Sequence, residues 1–113
     1  MSEPKERLLR LYHIRDACTR TADFIRGYDF NMFSRDEKTH NAVIHQIQII
    51  GEAAAALDLS VRDRIPDIPW QDVIGMRSKI VHDYFEIELK LVWDTATIDL
   101  PDLLVKINQR LSD

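Results

Sequence analysis

The feature that most limits how this chain can fold is the spacing of its apolar residues, which recur every three or four positions over most of its length. Such spacing aligns them along one side of an α-helix, whereas a half-buried strand would alternate apolar and polar residues. Only three glycines and four prolines interrupt the pattern in 113 residues. The sequence therefore predicts an all-α fold, an up-and-down bundle of four to five helices that forms a single domain over residues 1–113.

The first half of the chain predicts two helices separated by an aromatic connector. One apolar stripe runs from Lys5 to about Gly27, and Gly27 is a plausible helix stop. The connector 28–33 contains a tyrosine and two phenylalanines, which we expect to fold back onto the bundle. Ser34 followed by Glu37 has the spacing of a capping box and predicts a second helix start there.

The second helix carries an unusually wide apolar surface, which suggests contacts on more than one side. Its main stripe consists of Val43, Ile47, Ile50, Ala54 and Leu57. Gly51 and the alanines at positions 53–56 would let another helix approach closely. That helix could belong to the same bundle, which we favour, or to a second copy of the chain.

Two further helices are predicted in the second half. Pro69 suits the first position of a third helix, because its missing amide proton would be unpaired there. That helix runs through Trp70, Val73 and Met76 toward Val81. After residues 85–86 a fourth helix follows, and Pro101 should bend it, since proline removes one backbone hydrogen bond.

Composition narrows the classes of partner. The net charge of −4 argues against a broad, non-specific nucleic-acid surface, although the basic residues Arg62, Arg64, Arg77 and Lys79 lie close enough in sequence for a small cleft. No apolar run reaches the roughly 18 residues of a membrane span, and no signal-peptide core follows the charged N-terminus. We therefore expect a cytoplasmic protein without membrane contact.

The sequence offers no set of metal ligands. Cys18 is the only cysteine, and its position on an apolar helix face suggests a core residue. His40 and His45 are five residues apart and lack a third ligand at matching spacing. We expect no metal site and no cofactor.

The candidate site is the stretch 75–85, where Arg77, His82 and Tyr84 follow one another inside an otherwise apolar helical run. The spacing of Arg77 and His82 is weak by itself, because Arg35 and His40 repeat it and Arg7 and His13 differ by one residue. On a regular helix Arg77 and Tyr84 point the same way, whereas His82 lies about 140° round from Arg77. A looser helix end or an arrangement between two chains would bring Arg77 and His82 together.

These residue types suit cleavage of RNA by attack of a 2′-hydroxyl on the adjacent phosphate. A histidine with a pKa near neutrality can transfer the protons, and an arginine can hold the phosphate and the charge that builds on it. Attack by an internal hydroxyl requires no metal. Structural roles compete with this interpretation: Arg77 could pair with Asp72 or Asp83, and His82 could be a helix-end histidine.

The surroundings of this stretch resemble a known family. The run 68–77 (IPWQDVIGMR), then 82–85 (HDYF), 92–93 (VW) and 99–101 (DLP), is similar to HepT proteins, the toxin branch of the HEPN superfamily. The segment 50–54 (IGEAA) resembles the second-helix signature of that family. The similarity extends from about Leu8 to Leu111.

The resemblance implies a homodimer that cleaves RNA without metal, with the arginine and histidine of both copies lining one cleft. Arg77 and His82 would be the catalytic residues, supported by Ser78 and Asp83. The family is paired with a small MntA-like nucleotidyltransferase antitoxin that attaches AMP to the motif tyrosine, here Tyr84. This arrangement defines a type VII toxin–antitoxin system, in which the added nucleotide would block the cleft and repel substrate phosphate.

One position departs from the family pattern and keeps other functions open. HEPN nucleases usually carry Asn, Asp or His directly after the arginine, where this chain has Ser78. A catalytically silent HEPN module, acting as partner or substrate-binding subunit of a nucleotidyltransferase, is the alternative. A purely structural helical adaptor is a third interpretation.

Overall fold

The computed structural model describes residues 5–80 and 87–112 as a bundle of α-helices. The elements are α1 (Lys5–Phe24), α2 (Phe30–Arg35), α3 (Glu37–Ala56), α4 (Leu59–Asp63), α5 (Trp70–Ile74), α6 (Met76–Ile80), α7 (Leu89–Asp94), a π-helical segment (Thr95–Asp99) and α8 (Leu100–Leu111). The predicted all-α class is confirmed.

The core forms where the predicted apolar stripes meet. Helix α1 packs mainly against α3 and α8, and α3 also contacts α5, α6 and α7. Leu11 and Ile14 of α1 and Ile47 of α3 are completely buried. Cys18 is also buried, and removal from water raises the pKa of its thiol to about 12. The interpretation of Cys18 as a core residue is confirmed.

Helix α1 ends close to its predicted stop. Its last residue is Phe24, and Gly27 has a φ of 81°, in the left-handed region that favours glycine. Tyr28 then turns back, so that its hydroxyl donates a hydrogen bond to the Asp36 carboxylate at 2.6 Å. The connector therefore returns to the bundle as expected.

The capping box predicted at Ser34 and Glu37 is wrong. Ser34 lies inside α2, and its hydroxyl donates to the carbonyl oxygen of Asn31. The N-cap of α3 is Asp36, whose carboxylate accepts from the Thr39 amide at 3.1 Å. The connector forms a helix of its own because Phe33 is buried against His40 and Trp93, which moves the start of α3 to Glu37.

The predicted third helix is divided at Gly75. Pro69 is the N-cap of α5 rather than its first residue, and α6 begins at Met76. Backbone hydrogen bonds still cross the division, because the Gly75 amide donates to Gln71 and the Lys79 amide donates to Gly75. The two short helices are therefore separated only by Gly75, which forms a turn.

The fourth predicted helix is interrupted before Pro101. The segment Thr95–Asp99 is π-helical, with the Leu100 amide donating to the carbonyl oxygen of Thr95. Pro101, at the start of α8, supplies no amide proton. The side-chain hydroxyls of Thr95 and Thr97 make additional hydrogen bonds in this region, each to the carbonyl oxygen four residues earlier. A π-helical segment is a recognised cause of helix bending.

Candidate functional site

The site is built on α6, which is anchored by two apolar residues. Met76 and Ile80 are buried, whereas Arg77, Ser78 and Lys79 are exposed. The buried pair fixes the rotation of the helix about its axis, because turning it would bring charged groups into the core. Arg77 and Ser78 therefore face solvent from a helix whose orientation is set by packing.

The guanidinium group of Arg77 has no hydrogen bond or ion pair within residues 5–80 and 87–112. Asp72, the nearest carboxylate in sequence, lies 3.7 Å from the ammonium group of Lys79 instead. The structural alternative in which Asp72 neutralises Arg77 is therefore wrong. An exposed arginine that keeps its donors can hold a phosphate through two parallel hydrogen bonds.

His82, Asp83 and Tyr84 lie outside the residues that the structure describes. Their positions, the approach of His82 to Arg77 and the pairing of Arg77 with Asp83 stay predictions. The flanking residues are in contact, because the Glu88 amide donates to the carbonyl oxygen of Ile80 at 2.9 Å. The start of α7 is thereby attached to the end of the helix that carries Arg77.

Helix α3 approaches the α5–α6 unit at Gly51. A Cβ atom at this position would lie 3.2 Å from the backbone oxygen of Ile74 and 3.6 Å from that of Val73. Gly51, Ala53 and Ala54 are buried, whereas Ala55 and Ala56 are exposed. The close approach predicted from these small residues is thus made within the bundle, and it lies directly before the turn that presents Arg77.

A cleft of about 210 Å³ opens on the flank of α6 that carries Lys79. Its apolar lining residues are Pro69, Val73, Met76 and Leu103. Charged residues also line it, including Asp72 paired with Lys79 and Asp102 paired with Lys106. Arg77 is not among its lining residues. Sequence reasoning did not identify this cleft, because its lining residues come from segments that are distant in the sequence.

Two of the four basic residues that the sequence suggested for a small cleft have partners within the fold. The Arg62 guanidinium donates to the carbonyl oxygen of Ala55 at 3.0 Å and so ties α4 to the end of α3. Lys79 is paired with Asp72. The Arg62 contact is a structural link between two helices, whereas the Lys79 contact is an exposed surface ion pair.

His40, the histidine of the second Arg–His pair, has a structural role. A ring nitrogen of His40 lies 3.1 Å from the carbonyl oxygen of Phe33, and the His40 ring packs edge-on against the Phe33 ring. His45 is exposed. Among the residues that the structure describes, no group of three His, Cys, Asp or Glu side chains could hold a metal ion. In the same residues no helix is long and apolar enough to cross a membrane.

The protein is thus a helical bundle that presents an exposed arginine, Arg77, on a short helix held in place by buried Met76 and Ile80. The family description "Ribonuclease HepT-like" matches residues 14–110. The chain belongs to this HepT-like ribonuclease family.

Relatives from several organisms support the assignment. A protein named "Probable ribonuclease HepT" from Thermococcus cleftensis is 34% identical, over 88% of this chain and 90% of its own length. A protein named "Putative RNase" from Methanocaldococcus jannaschii is 31% identical, over 82% of this chain and 85% of its own length. Another protein with this name, from Caldanaerobacter subterraneus, is 30% identical, over 89% of this chain and 90% of its own length. The search of solved structures gave no significant match.

Proposed function

We propose that this protein is a metal-independent endoribonuclease. The observation that carries the proposal is the exposed guanidinium of Arg77, which is left without a partner among the described residues because Asp72 pairs with Lys79. The names of its relatives as ribonucleases support the same activity. RNA is a polyanion, and one exposed arginine on a fixed helix provides a local phosphate contact that a net charge of −4 would otherwise disfavour.

The proposed reaction uses the RNA as its own nucleophile. The 2′-oxygen attacks phosphorus, the bond from phosphorus to the 5′-oxygen breaks, and the products are a 2′,3′-cyclic phosphate and a 5′-hydroxyl. Arg77 binds the phosphate and stabilises the negative charge on its oxygens. His82 takes the proton of the 2′-hydroxyl or gives one to the departing 5′-oxygen, and Ser78 and Asp83 support this arrangement.

Product analysis tests this mechanism. A labelled RNA is incubated with purified protein in excess EDTA, and the ends of the fragments are identified by mass spectrometry. We expect 2′,3′-cyclic phosphate ends from the wild type and none from His82→Ala, while His45→Ala, which removes an exposed histidine, behaves as wild type. Cleavage that requires added metal, or full activity in His82→Ala, would contradict the mechanism.

The second part of the proposal concerns control of the activity. The protein acts as the cytoplasmic toxin of a type VII toxin–antitoxin system, and an MntA-like nucleotidyltransferase silences it by attaching AMP to Tyr84. Support comes from the HepT-like family and from the motif that places Tyr84 seven residues after Arg77. A nucleotide near Arg77 would add negative charge and bulk where substrate phosphate binds.

Intact-mass measurement tests this control. The chain is produced with and without the transferase, and peptides are then mapped. We expect AMP-sized additions on Tyr84 together with loss of RNA cleavage, and no addition in Tyr84→Phe. An unmodified Tyr84 beside an active transferase would overturn the control mechanism and leave the ribonuclease proposal standing.

Ser78 gives a specific reason to keep the silent binding module as a second candidate. Its exposed hydroxyl stands where HEPN nucleases usually have a longer polar side chain. If this chain is the silent module, the unmodified wild type leaves RNA intact, and Arg77→Ala still binds the transferase. Replacing Ser78 by Asn would then create or increase cleavage, because the amide restores the usual donor and acceptor groups.

A further inference from the structure

We infer that Gly51 is a positioning residue for Arg77, and that its missing side chain sets the distance between α3 and the helix that presents the guanidinium. The inference rests on the proposed function, since it assigns Gly51 a part in the same reaction. Gly51 lies on a different helix, 26 residues before Arg77 in the sequence.

The contact at Gly51 is made to backbone and is already tight. A Cβ atom there would lie 3.2 Å from the carbonyl oxygen of Ile74, closer than ordinary van der Waals contact. A flexible side chain could rotate away from an added methyl group, but a carbonyl oxygen moves only with its helix. Replacement of Gly51 by alanine must therefore shift the end of α5 relative to α3.

The shift would reach Arg77, because the backbone between Ile74 and Arg77 is short and held by hydrogen bonds. Arg77 follows Ile74 by three residues and Val73 by four, so it lies about one turn further along the chain than the carbonyl groups that face Gly51. The Gly75 amide donates to Gln71 and the Lys79 amide to Gly75, which ties α6 to α5 across the division. Movement of the Ile74 carbonyl therefore moves the backbone that carries Arg77.

The position of a phosphate-binding arginine matters more for rate than for folding. Displacement of a catalytic group by about 1 Å can cost up to about a hundredfold in rate, because transition-state contacts need exact geometry. The few tenths of an ångström that alanine at position 51 requires should cost correspondingly less. Alanine in place of a helical glycine also favours the helix by lowering the entropy of the unfolded chain. Gly51→Ala should therefore leave a folded protein whose catalysis is impaired.

The experiment compares Gly51→Ala with Ile14→Val. Ile14 is fully buried on α1, which packs against α3 and α8 and makes no extensive contact with α5 or α6, so its replacement weakens the core without altering the contact between Gly51 and Ile74. Backbone amide resonances of residues 73–80 are followed by NMR, and kcat and KM for RNA cleavage are measured well below both melting temperatures. For Gly51→Ala we expect shifts in 73–80 and a fall in kcat of about tenfold with a smaller change in KM, and for Ile14→Val neither effect.

Each outcome decides one part of the inference. Unchanged resonances of residues 73–80 in Gly51→Ala would overturn it, and so would shifted resonances with unchanged kcat. An equal loss of kcat in Ile14→Val would show that general destabilisation, not positioning, causes the effect. If the wild type itself cleaves no RNA, the proposed function fails and the catalytic role of Gly51 falls with it, whereas the NMR shifts alone report whether Gly51 sets the position of Arg77.

Discussion

Asp36 shows how one carboxylate can fix the junction of two helices. Its oxygens accept hydrogen bonds from the Tyr28 hydroxyl, the Thr39 hydroxyl and the Thr39 amide. These hydrogen bonds lower the pKa of Asp36 from its usual 3.8 to about 2. The bond from Tyr28 has the largest effect, followed by those from Thr39. Because these donors favour the charged form, the ionised carboxylate stabilises the folded state.

This pKa leads to a prediction for stability against pH. The folded pKa lies below the unfolded value, so the contribution is complete above about pH 4 and disappears as the pH falls toward 2. Asp36→Asn should unfold at lower urea concentration than wild type at pH 6, and the gap should narrow between pH 4 and pH 2.5. Urea titrations followed by circular dichroism measure both proteins, with the exposed Asp63→Asn as control. A gap that stays constant over this range would contradict the role assigned to Asp36.

At the scale of elements, α2 shows why the connector after α1 became a helix. Phe33 is completely buried, with its ring centroid 5.1 Å from that of Trp93 on α7 and 5.9 Å from that of His40 on α3. Phe30 makes a further ring contact with Trp93, at 6.4 Å between centroids. Helix α2 therefore joins α3 to α7, the element that follows the candidate site.

Two substitutions on the same helix test this role. Phe33→Ala should lower the free energy of unfolding by about 3 kcal/mol or more, because it removes a buried ring and leaves a cavity. Met32→Ala, one residue away but 48% exposed, should change it by no more than about 0.5 kcal/mol. Chemical denaturation of both variants measures the difference. Similar, small effects at the two positions would mean that α2 is not held by Phe33.

The division between α5 and α6 marks a limit of helical periodicity. Val73, Met76 and Ile80 satisfy the spacing of one continuous helix and are buried as that spacing predicts. Periodicity could not reveal the break at Gly75, because the hydrogen bonds across the turn keep the apolar residues nearly in register. The Ser34 capping box failed because Asp36 caps α3 through the Thr39 amide, and because Phe33 packs against the distant Trp93 and so includes Ser34 in α2.

At the scale of the whole molecule, the helical fold and most of the core follow from the sequence pattern, but the ion pairing and helix contacts around the site do not. Ile14 and Ile47 lie on the two predicted stripes and are fully buried. Within the part of the chain that the structure describes, Arg77 has no ion-pair partner while Asp72 contacts Lys79. This depends on the rotamers and packing of α6, which residue spacing does not encode. The approach at Gly51 likewise required α3 and α5 to be brought together.

The proposed active cleft also makes a prediction about assembly. If Arg77 and His82 act across two copies, the protein should exist as a homodimer with twice the 13.2 kDa mass of one chain. Sedimentation velocity at micromolar concentration measures this mass, with Arg77→Ala as a variant that should keep it. A monomer that still cleaves RNA would show that the cleft needs only one chain.

The central claim is that the exposed arginine on α6, Arg77, binds and stabilises the scissile phosphate. The most direct test is the single-turnover rate of RNA cleavage in EDTA for wild type, Arg77→Ala and Arg35→Ala. Arg35→Ala is the control, because it removes an exposed arginine that has the same spacing to His40 as Arg77 has to His82. We predict a loss of about a hundredfold or more for Arg77→Ala, because a donor to the developing charge disappears, and a rate near wild type for Arg35→Ala. Equal rates for wild type and Arg77→Ala would contradict the claim.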